Sequence, residues 1–265
     1  MSDRVFIIGA GRVGRGLARA FRTTGSVGVV SLHARRPSDW ATSAGEYPAT
    51  LSEANVIIVA VRDAEIDGVC AGLATVAKER PGRVAHGAVV VHTSGTVEPP
   101  SFATLRALNI RAGTFHPLVP FATPERGAAL LHDAWIGIDG DATACSAARR
   151  LAAAVGARTV NIPSGGKAAY HAAAVIASNF PVVLAGVAAG VLSRSGISAH
   201  TAEQVVRSLM AAAVENLAHG APRDVLTGPV VRGDSATIDA HRAALRDDPV
   251  ALAVYDALTR AAQAL

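Results

Sequence analysis

The chain has 265 residues, of which half are hydrophobic and 17% are charged, with a formal net charge of +4. This composition is typical of a globular protein and excludes long disordered segments. Its arginines are scattered rather than gathered in a basic block, so the charge predicts no nucleic-acid partner. Cys70 and Cys145 lie far apart without metal-ligand spacing, which predicts no metal site and a reducing cytoplasm. Because a strand is predicted so close to the start of the sequence, we expect no signal peptide.

The first predicted element is a short strand, Arg4–Ile8, which runs directly into a glycine-rich turn and a helical pattern. The turn has the spacing G-x-G-x-x-G, and its residues are Gly9, Ala10, Gly11, Arg12, Val13 and Gly14. In the order strand, turn, helix this motif is typical of dinucleotide binding, because a pyrophosphate can approach the helix N-terminus closely. We therefore predict that these six residues bind a cofactor. A glycine-rich turn without a ligand is the alternative.

The end of the second predicted strand, Val27–His33, distinguishes between the two nicotinamide dinucleotides. An NAD site usually has an acid there, about twenty residues past the glycines, to bind the ribose 2′-hydroxyl. Here the strand is followed by Ala34, Arg35 and Arg36, with no acid. Arginine binds phosphate as a bidentate donor, so Arg35 and Arg36 predict a 2′-phosphate and hence NADP (NADPH) as the cofactor. Two solvated loop arginines are the alternative.

Two continuous apolar runs, Val56–Val61 and Ala88–His92, predict strands that are buried on both faces, as in a parallel sheet. Ligands of such sheets bind at the carboxyl ends of the strands. Val61 is therefore predicted to contact the cofactor, and Ser94 the substrate or the nicotinamide. An ordinary Ser-Gly turn explains Ser94 equally well. Asp63 is the predicted N-cap of the helix after the first run.

Three further short strands complete the predicted sheet: Arg111–Phe115, Ala134–Ile138 and Ala157–Ile162. The first is followed by His116, and a histidine at a strand end can shape a pocket, carry a proton or cap the strand. Residues 1–162 thus alternate strand and helix. They predict an α/β fold, a Rossmann-type, doubly wound and mostly parallel sheet that binds NADP.

Residues 163–265 show no strand pattern and predict an all-α C-terminal domain for substrate binding and dimerisation. Its predicted helices are Lys167–Arg194, Ser198–His219, Ser235–Leu245 and Pro249–Ala264. The apolar stretch Ala172–Leu192 contains small and polar residues as well as a proline, so it is expected to be a buried helix rather than a membrane span.

The first helix of this second domain carries the candidate proton donors. Lys167 and His171 are four residues apart and so share a face, and Ser178 and Asn179 lie further along. A protonated lysine or histidine can donate a proton as hydride reaches a carbonyl or imine carbon. The pattern does not decide between Lys167 and His171. A solvated lysine at a helix start is the alternative.

The loop between the second and third of these helices is the other concentration of polar groups. Thr227 and the neighbouring glycines can present donors to a small anionic substrate, and Arg232 can pair with a carboxylate. A plain helix connection with an internal Arg232–Asp234 pair explains the same residues.

The order of these motifs resembles that of one family over nearly the whole chain. The motifs are Gly9–Gly14, His92-Thr93-Ser94-Gly95, His116-Pro117-Leu118, Lys167–His171 with Ala177-Ser178-Asn179, and Leu226–Pro229 with Arg232-Gly233-Asp234. The family is the Rossmann-like one with a C-terminal domain of unknown function (DUF2520-type), which is assigned to the oxidoreductases. More distantly, the chain is similar to pyrroline-5-carboxylate reductases and β-hydroxyacid dehydrogenases.

This resemblance implies use of NAD(P)H, a C-terminal domain like that of 6-phosphogluconate dehydrogenase, a homodimer formed through its helices, and an active site in the cleft. Ser94 resembles the serine of the dehydrogenases' substrate loop, and Lys167 resembles their catalytic lysine. Where those enzymes have an asparagine four residues after the lysine, this chain has His171. Thr227–Pro229 resembles the reductases' substrate loop, but Arg232 stands near where glycine and threonine would be.

The resulting hypothesis is an NADP-dependent oxidoreductase that transfers hydride between the nicotinamide and a C=O or C=N group of a small anionic substrate. Ser94, Lys167 and His171 are its predicted catalytic residues. The predicted substrate contacts are His116, Asn179, Thr227 and Arg232. We expect a cytoplasmic homodimer with no nucleic-acid, metal or membrane partner. The alternative is a non-catalytic NADP-binding protein that senses redox state or mediates interactions.

Overall fold

The computed structural model describes residues 2–98 and 100–265. The chain divides into two compact units, Met1–Val175 and Ile176–Leu265. The first unit therefore includes the beginning of the long helix that starts at Lys167. The predicted domain boundary, between residues 162 and 163, lies before that helix. The division into a cofactor-binding domain and a substrate-binding domain stays a prediction.

The first unit is built on a sheet whose strands run mostly parallel. The strands are β1 (Arg4–Ile8), β2 (Gly28–Ala34), β3 (Ser43–Ala44), β4 (Val56–Val59), β5 (Val89–His92), β6 (Arg111–Pro117), β7 (Trp135–Gly140) and β8 (Arg158–Asn161). Their order is β3-β2-β1-β4-β5-β6-β7-β8, and the β6–β7 pair is antiparallel while the other neighbours are parallel. The chain reverses its direction of strand addition next to β1, where doubly wound sheets bind their ligands.

Helices cover both faces of this sheet. They are α1 (Arg12–Thr24), a 3₁₀ turn (Ala49–Glu53), α2 (Asp63–Glu79), α3 (Phe102–Ala107), α4 (Pro124–Leu130) and α5 (Ala142–Ala154). One buried cluster joins α1 and α5 to one face, and a second joins α2 and α3 to the other. The predicted doubly wound fold is confirmed. Asp63 is the first residue of α2 rather than its N-cap, which is Arg62 without a side-chain cap bond.

The second unit is helical throughout, as predicted. It contains the C-terminal part of α6 (Lys167–Arg194), then α7 (Ala199–Asn216), α8 (Pro222–Val225), α9 (Ser235–Ala244) and α10 (Pro249–Gln263). The side chains of Ser198 and Asp248 accept hydrogen bonds from backbone N–H groups in the first turns of α7 and α10. Both are therefore N-caps, which satisfy donors that a helix start leaves free.

The expectation that the apolar stretch of α6 is buried is wrong for this single chain. Ile176, Phe180, Val182 and Val183 expose 61%, 51%, 74% and 58% of their surface. Few side chains of α7, α9 and α10 are buried, so this unit offers the helix little cover. By length and a mean hydropathy of 2.0, α6 is the one helix found in the described chain that meets the criterion for a membrane span. One such helix is weak evidence for a membrane.

Candidate functional site

The glycine-rich turn that follows β1 has a conformation and a close packing that require glycine at two of its positions. Gly9 has a φ of 115°, and a Cβ atom there would lie 2.2 Å from the carbonyl oxygen of Ala60. A Cβ on Gly14 would lie 1.8 Å from the carbonyl oxygen of Gly9. Because no side chain fits at either position, the turn and the start of α1 can pack this closely only with glycine.

The middle glycine of the turn faces open space. A Cβ on Gly11 would meet no atom within 4 Å. Helix α1 begins at the next residue, and no side chain caps its free N–H groups. No acid lies in its first turn either. An uncapped, acid-free helix start next to an uncrowded backbone fits an anionic group such as a pyrophosphate.

A cavity of about 530 Å³ lies beside this turn. Its walls include Gly9, Ala10 and Val61 from the ends of the central strands and Arg35 from the segment after β2. The Arg35 side chain is 78% exposed, and its guanidinium lies 3.4 Å from the carboxylate of Glu65. Arg35 therefore lines the same cavity as Gly9 and Ala10 of the glycine turn, and cofactor binding by these residues stays a prediction. Arg36 is exposed on the same segment.

Two aromatic side chains that the sequence did not single out also line this cavity: His33 and Tyr47. Nδ1 of the buried His33 lies 2.9 Å from Oγ of Ser43. The ring centroids of His33 and Tyr47 are 5.0 Å apart. Burial lowers the pKa of His33 and raises the pKa of Tyr47 to about 12. Both side chains are therefore neutral at pH 7. Tyr47 lies outside every predicted element, so no sequence signal pointed to it.

The loop after β5 is held by its own hydrogen bonds. Oγ of Ser94 accepts from the backbone N–H groups of Thr96 and Val97, both at 3.2 Å. The N–H of Ser94 in turn donates to Nδ1 of His92, which is fully buried. The Thr96 hydroxyl donates to Asp63 at 3.1 Å. The hydroxyl predicted to contact substrate thus also stabilises the turn.

Lys167 lies in a buried polar network rather than in solvent. Its side chain is 7% exposed, and Nζ donates to the carbonyl oxygen of Val97 and to Oγ1 of Thr114, both at 3.0 Å. The carboxylates of Asp139 and Glu98 lie 3.5 and 3.7 Å from Nζ. Nζ is therefore surrounded by four oxygens, which explains how an ammonium group can be buried here.

Three ring side chains lie together at the ends of β6 and the start of α6: His116, Tyr170 and His171, here called the ring cluster. The Tyr170 hydroxyl lies 2.8 Å from Nδ1 of His116, and the two histidine ring centroids are 5.9 Å apart. A Cβ on Gly95 would lie 2.8 Å from the His116 ring and 2.9 Å from the His171 ring. The β5 loop can therefore approach the ring cluster only because this position is glycine.

Burial sets the protonation of the ring cluster. It lowers the pKa of His116 to about 4, helped by the charge of His171 and opposed by that of Asp63. Burial also raises the pKa of Tyr170 to about 12. Both side chains are neutral at pH 7. His116 pairs with Gly137 near the end of the ladder between β6 and β7. Strand β6 continues through Pro117, whereas the sequence predicts that it ends at Phe115.

The first unit brings together four of the predicted residues: Ser94, His116, Lys167 and His171. Tyr170 and Thr114 join them without having been predicted. The other predicted substrate residues, Asn179, Thr227 and Arg232, lie in the second unit, where all three are exposed. Asp234 caps α9 by accepting from the N–H and hydroxyl of Thr237.

Two family models match the chain. Residues 134–262 match the one described as "Domain of unknown function (DUF2520)", and residues 4–84 match the one described as "NADP oxidoreductase coenzyme F420-dependent". The N-terminal part of the chain thus resembles an oxidoreductase domain, and its C-terminal half resembles the DUF2520 domain. The resemblance drawn from the sequence motifs is confirmed. No curated protein matches the chain significantly.

Solved structures share the fold over almost the full length. A protein from Bacteroides fragilis, assigned as an NADP oxidoreductase, is 21% identical with a TM-score of 0.75 and covers 100% of this chain and 99% of its own. A protein from Thermotoga maritima is 25% identical with a TM-score of 0.71, covering 98% and 96%. The pyrroline carboxylate reductase of Plasmodium falciparum, solved with NADP bound, is 10% identical with a TM-score of 0.63, covering 99% and 97%.

Proposed function

We propose that this protein is an NADP-dependent oxidoreductase that reduces a C=O or C=N group of a small anionic substrate, or catalyses the reverse reaction. The observation that carries the proposal is the cavity shared by the glycine turn and Arg35. Its size is suited to part of a dinucleotide, and its lining combines a phosphate-binding turn with a guanidinium. The similarity to reductases supports the class of reaction.

The residues assigned to the cofactor follow from this cavity. The backbone N–H groups at Gly11, Arg12 and Val13 would hold the pyrophosphate, while Gly9 and Gly14 keep the turn tight. Arg35 and Arg36 would bind the 2′-phosphate of NADP, because no acid follows β2 to bind a ribose 2′-hydroxyl. When bound, the nicotinamide supplies or accepts hydride.

The substrate would lie at the ends of β5 and β6, where polar and titratable groups converge. Ser94, Lys167, His116 and His171 lie on this edge of the first unit. We assign Asn179, Thr227 and Arg232 of the second unit as further substrate contacts. A protein that only sensed the redox state of NADP would not need these titratable groups, which favours an enzyme over that alternative.

We infer that two copies of this chain associate through their C-terminal helices. The apolar face of α6 is exposed, and a groove of about 600 Å³ on the second unit is lined by α6 and α7 residues such as Val182, Ala185 and Val206. Exposed apolar surface of this kind marks an interaction site. Light scattering on detergent-free protein should give the mass of a dimer, and Val182→Glu should give a monomer. If the protein is found in membranes and stays in solution only with detergent, this result would contradict both the dimer and the proposed cytoplasmic location.

Calorimetric titration with NADPH and NADH tests the cofactor proposal. We expect NADPH to bind more tightly, and Arg35→Asp to weaken NADPH binding about 10- to 100-fold, since a charge-assisted hydrogen bond contributes about 1.5–3 kcal/mol. Arg126→Asp is the matched control, because Arg126 is an exposed arginine of α4 outside the cavity. Tighter binding of NADH, with no effect of Arg35→Asp, would overturn the proposal.

A further inference from the structure

His116 has one ring nitrogen held and the other free. Nδ1 lies 2.8 Å from the Tyr170 hydroxyl. Within residues 2–98 and 100–265, Nε2 has no hydrogen-bond partner, and it is not among the fully buried atoms that lack one. Nε2 therefore keeps some exposed surface, while the ring itself packs between Gly95 and Tyr170.

Tyr170 is fixed as closely as the ring it contacts. A Cβ on Gly137 of β7 would lie 2.1 Å from the Tyr170 hydroxyl, so the phenol packs directly against bare backbone. The raised pKa of Tyr170 keeps this hydroxyl protonated at neutral pH. Nδ1 of His116 is the one partner of the hydroxyl in the described part of the chain. With Tyr170 as the donor to Nδ1, the proton of the neutral imidazole lies on Nε2.

Lys167, the other candidate donor, is fully engaged inside the fold. Its ammonium donates to Val97 and Thr114 and lies between two carboxylates. Thr114 is also within 3.4 Å of Nε2 of the buried His92. These contacts fasten the first turn of α6 to the loop after β5 and to β6. They give Lys167 a role in positioning Tyr170 and His171, which follow it on α6.

We propose that Tyr170 and His116 form a proton relay in which Nε2 of His116 is the donor to the substrate and Tyr170 is a positioning residue. When hydride adds to the carbon of C=O or C=N, the π electron pair moves to the oxygen or nitrogen. That atom takes the Nε2 proton, the Tyr170 hydroxyl proton moves to Nδ1, and water returns a proton to the phenolate. This inference rests on the proposed function and assigns to His116 the proton-donor role for which the sequence offers Lys167 and His171. Besides Tyr170, the titratable groups that interact with His116 are His171, Asp63 and the buried His92.

Histidine ¹⁵N NMR on the cofactor-free protein reads this arrangement directly. The His116 signals are assigned by their loss in His116→Asn. In the wild type we expect Nε2 to be protonated and Nδ1 to be unprotonated, and in Tyr170→Phe we expect a mixture of both tautomers. Protonated Nδ1 in the wild type, or an unchanged tautomer in Tyr170→Phe, would overturn the relay.

The chain offers a matched control for this spectrum. The Tyr255 hydroxyl lies 2.9 Å from Nδ1 of His241, a second tyrosine–histidine pair between α9 and α10. Tyr255→Phe removes the same type of hydrogen bond and should change the His241 signals while those of His116 stay as in the wild type. A His116 change in Tyr255→Phe of the same size as in Tyr170→Phe would show that the signal reports general loosening and would count against the relay.

Two further readouts separate this inference from the proposed function. Tyr170→Phe should bind NADPH within twofold of the wild type; a wild type that fails to bind NADPH overturns the proposed function but leaves the tautomer result standing. With 1-pyrroline-5-carboxylate, an anionic cyclic imine, and NADPH as the turnover probe, Tyr170→Phe should lower kcat about a hundredfold with little change in KM. Full kcat in Tyr170→Phe would overturn the relay alone.

Discussion

Nζ of Lys167 lies 3.0 Å from Oγ1 of Thr114, and this contact joins the start of α6 to the middle of β6. Asp139 and Glu98 supply the opposite charge at 3.5 and 3.7 Å. A lysine placed in this way stabilises the fold around the site. Its removal should therefore be felt in stability as well as in activity.

Lys167→Met should lower the free energy of unfolding by about 1–3 kcal/mol, because a hydroxyl and a carbonyl lose their donor and Asp139 loses its counter-charge. Urea unfolding followed by circular dichroism measures the loss. Lys78→Met is the control, since Lys78 is exposed near the end of α2 and should change stability by less than about 0.5 kcal/mol. Equal stability of Lys167→Met and wild type would contradict the buried network.

Acidification should begin to destabilise the protein at pH values well above the pKa of its carboxylates. Burial lowers the pKa of His92 to about 3 and that of His116 to about 4, from 6.5. Between the pKa of each folded histidine and 6.5, the unfolded chain therefore binds more protons than the folded chain. The stability that these neutral rings contribute is complete above about pH 6.5 and is lost as the pH falls toward 4, at about 1.4 kcal/mol per pH unit for each histidine.

Urea midpoints between pH 7.5 and 4.5 test this pH dependence. His92→Gln should be less stable at pH 7.5 but should lose less stability on acidification. His219→Gln serves as the control, because His219 is 72% exposed and should leave the slope unchanged. A wild-type stability that stays constant between pH 7 and 5 would contradict buried neutral histidines.

Asp3 and Arg150 should stabilise the first unit at the N-terminal end of the interior strand β1. The Asp3 side chain is 8% exposed and accepts from Arg150 at 2.9 and 3.0 Å and from Asn55 at 2.9 Å. The hydrogen bond from Arg150 is the main cause of the lowered pKa of Asp3. Because the folded pKa is lowered, this stabilisation is present above the unfolded value of 3.8 and is lost as the pH falls through the folded value.

Asp3→Asn should therefore cost about 1–3 kcal/mol at pH 7, with a smaller difference from wild type at pH 3. Asp247→Asn is its control, since Asp247 is 95% exposed. A difference between Asp3→Asn and wild type that does not shrink in acid would argue against the ion pair.

Gly14→Ala should weaken cofactor binding and folding together, because its Cβ would lie 1.8 Å from the Gly9 carbonyl oxygen. Gly72→Ala makes the same change in α2, where a Cβ meets no atom within 4 Å, and should stabilise the protein by about 0.5–1 kcal/mol. Thermal unfolding with and without NADPH compares the two. A Gly14→Ala protein that binds NADPH like the wild type would exclude the tight turn.

The sequence predicted the parts of the structure that depend on local pattern. The bounds of β1 and α6 agree with the prediction, because each is a largely apolar run that ends close to a glycine. Helices α3 and α4 and the two-residue β3 were not predicted, since such short elements carry little periodicity.

The contacts of the site depended on residues far apart in sequence. Tyr170 reaches His116 across 54 residues, and Lys167 reaches Thr114 across 53. No spacing rule links such pairs, so Tyr170 went unnoticed and Lys167 was expected to face a ligand. The exposure of α6 was not predicted for a related reason. Its apolar composition predicts that the helix is buried, but does not identify the surface against which it packs.

A crystal structure of the protein grown with NADPH tests the proposed function most directly. We predict that the pyrophosphate lies within hydrogen-bond distance of the backbone at Gly11, Arg12 and Val13, and that the 2′-phosphate contacts Arg35. A structure at saturating NADPH in which the cofactor lies elsewhere, with the glycine turn covered by other parts of the protein, would contradict the proposal.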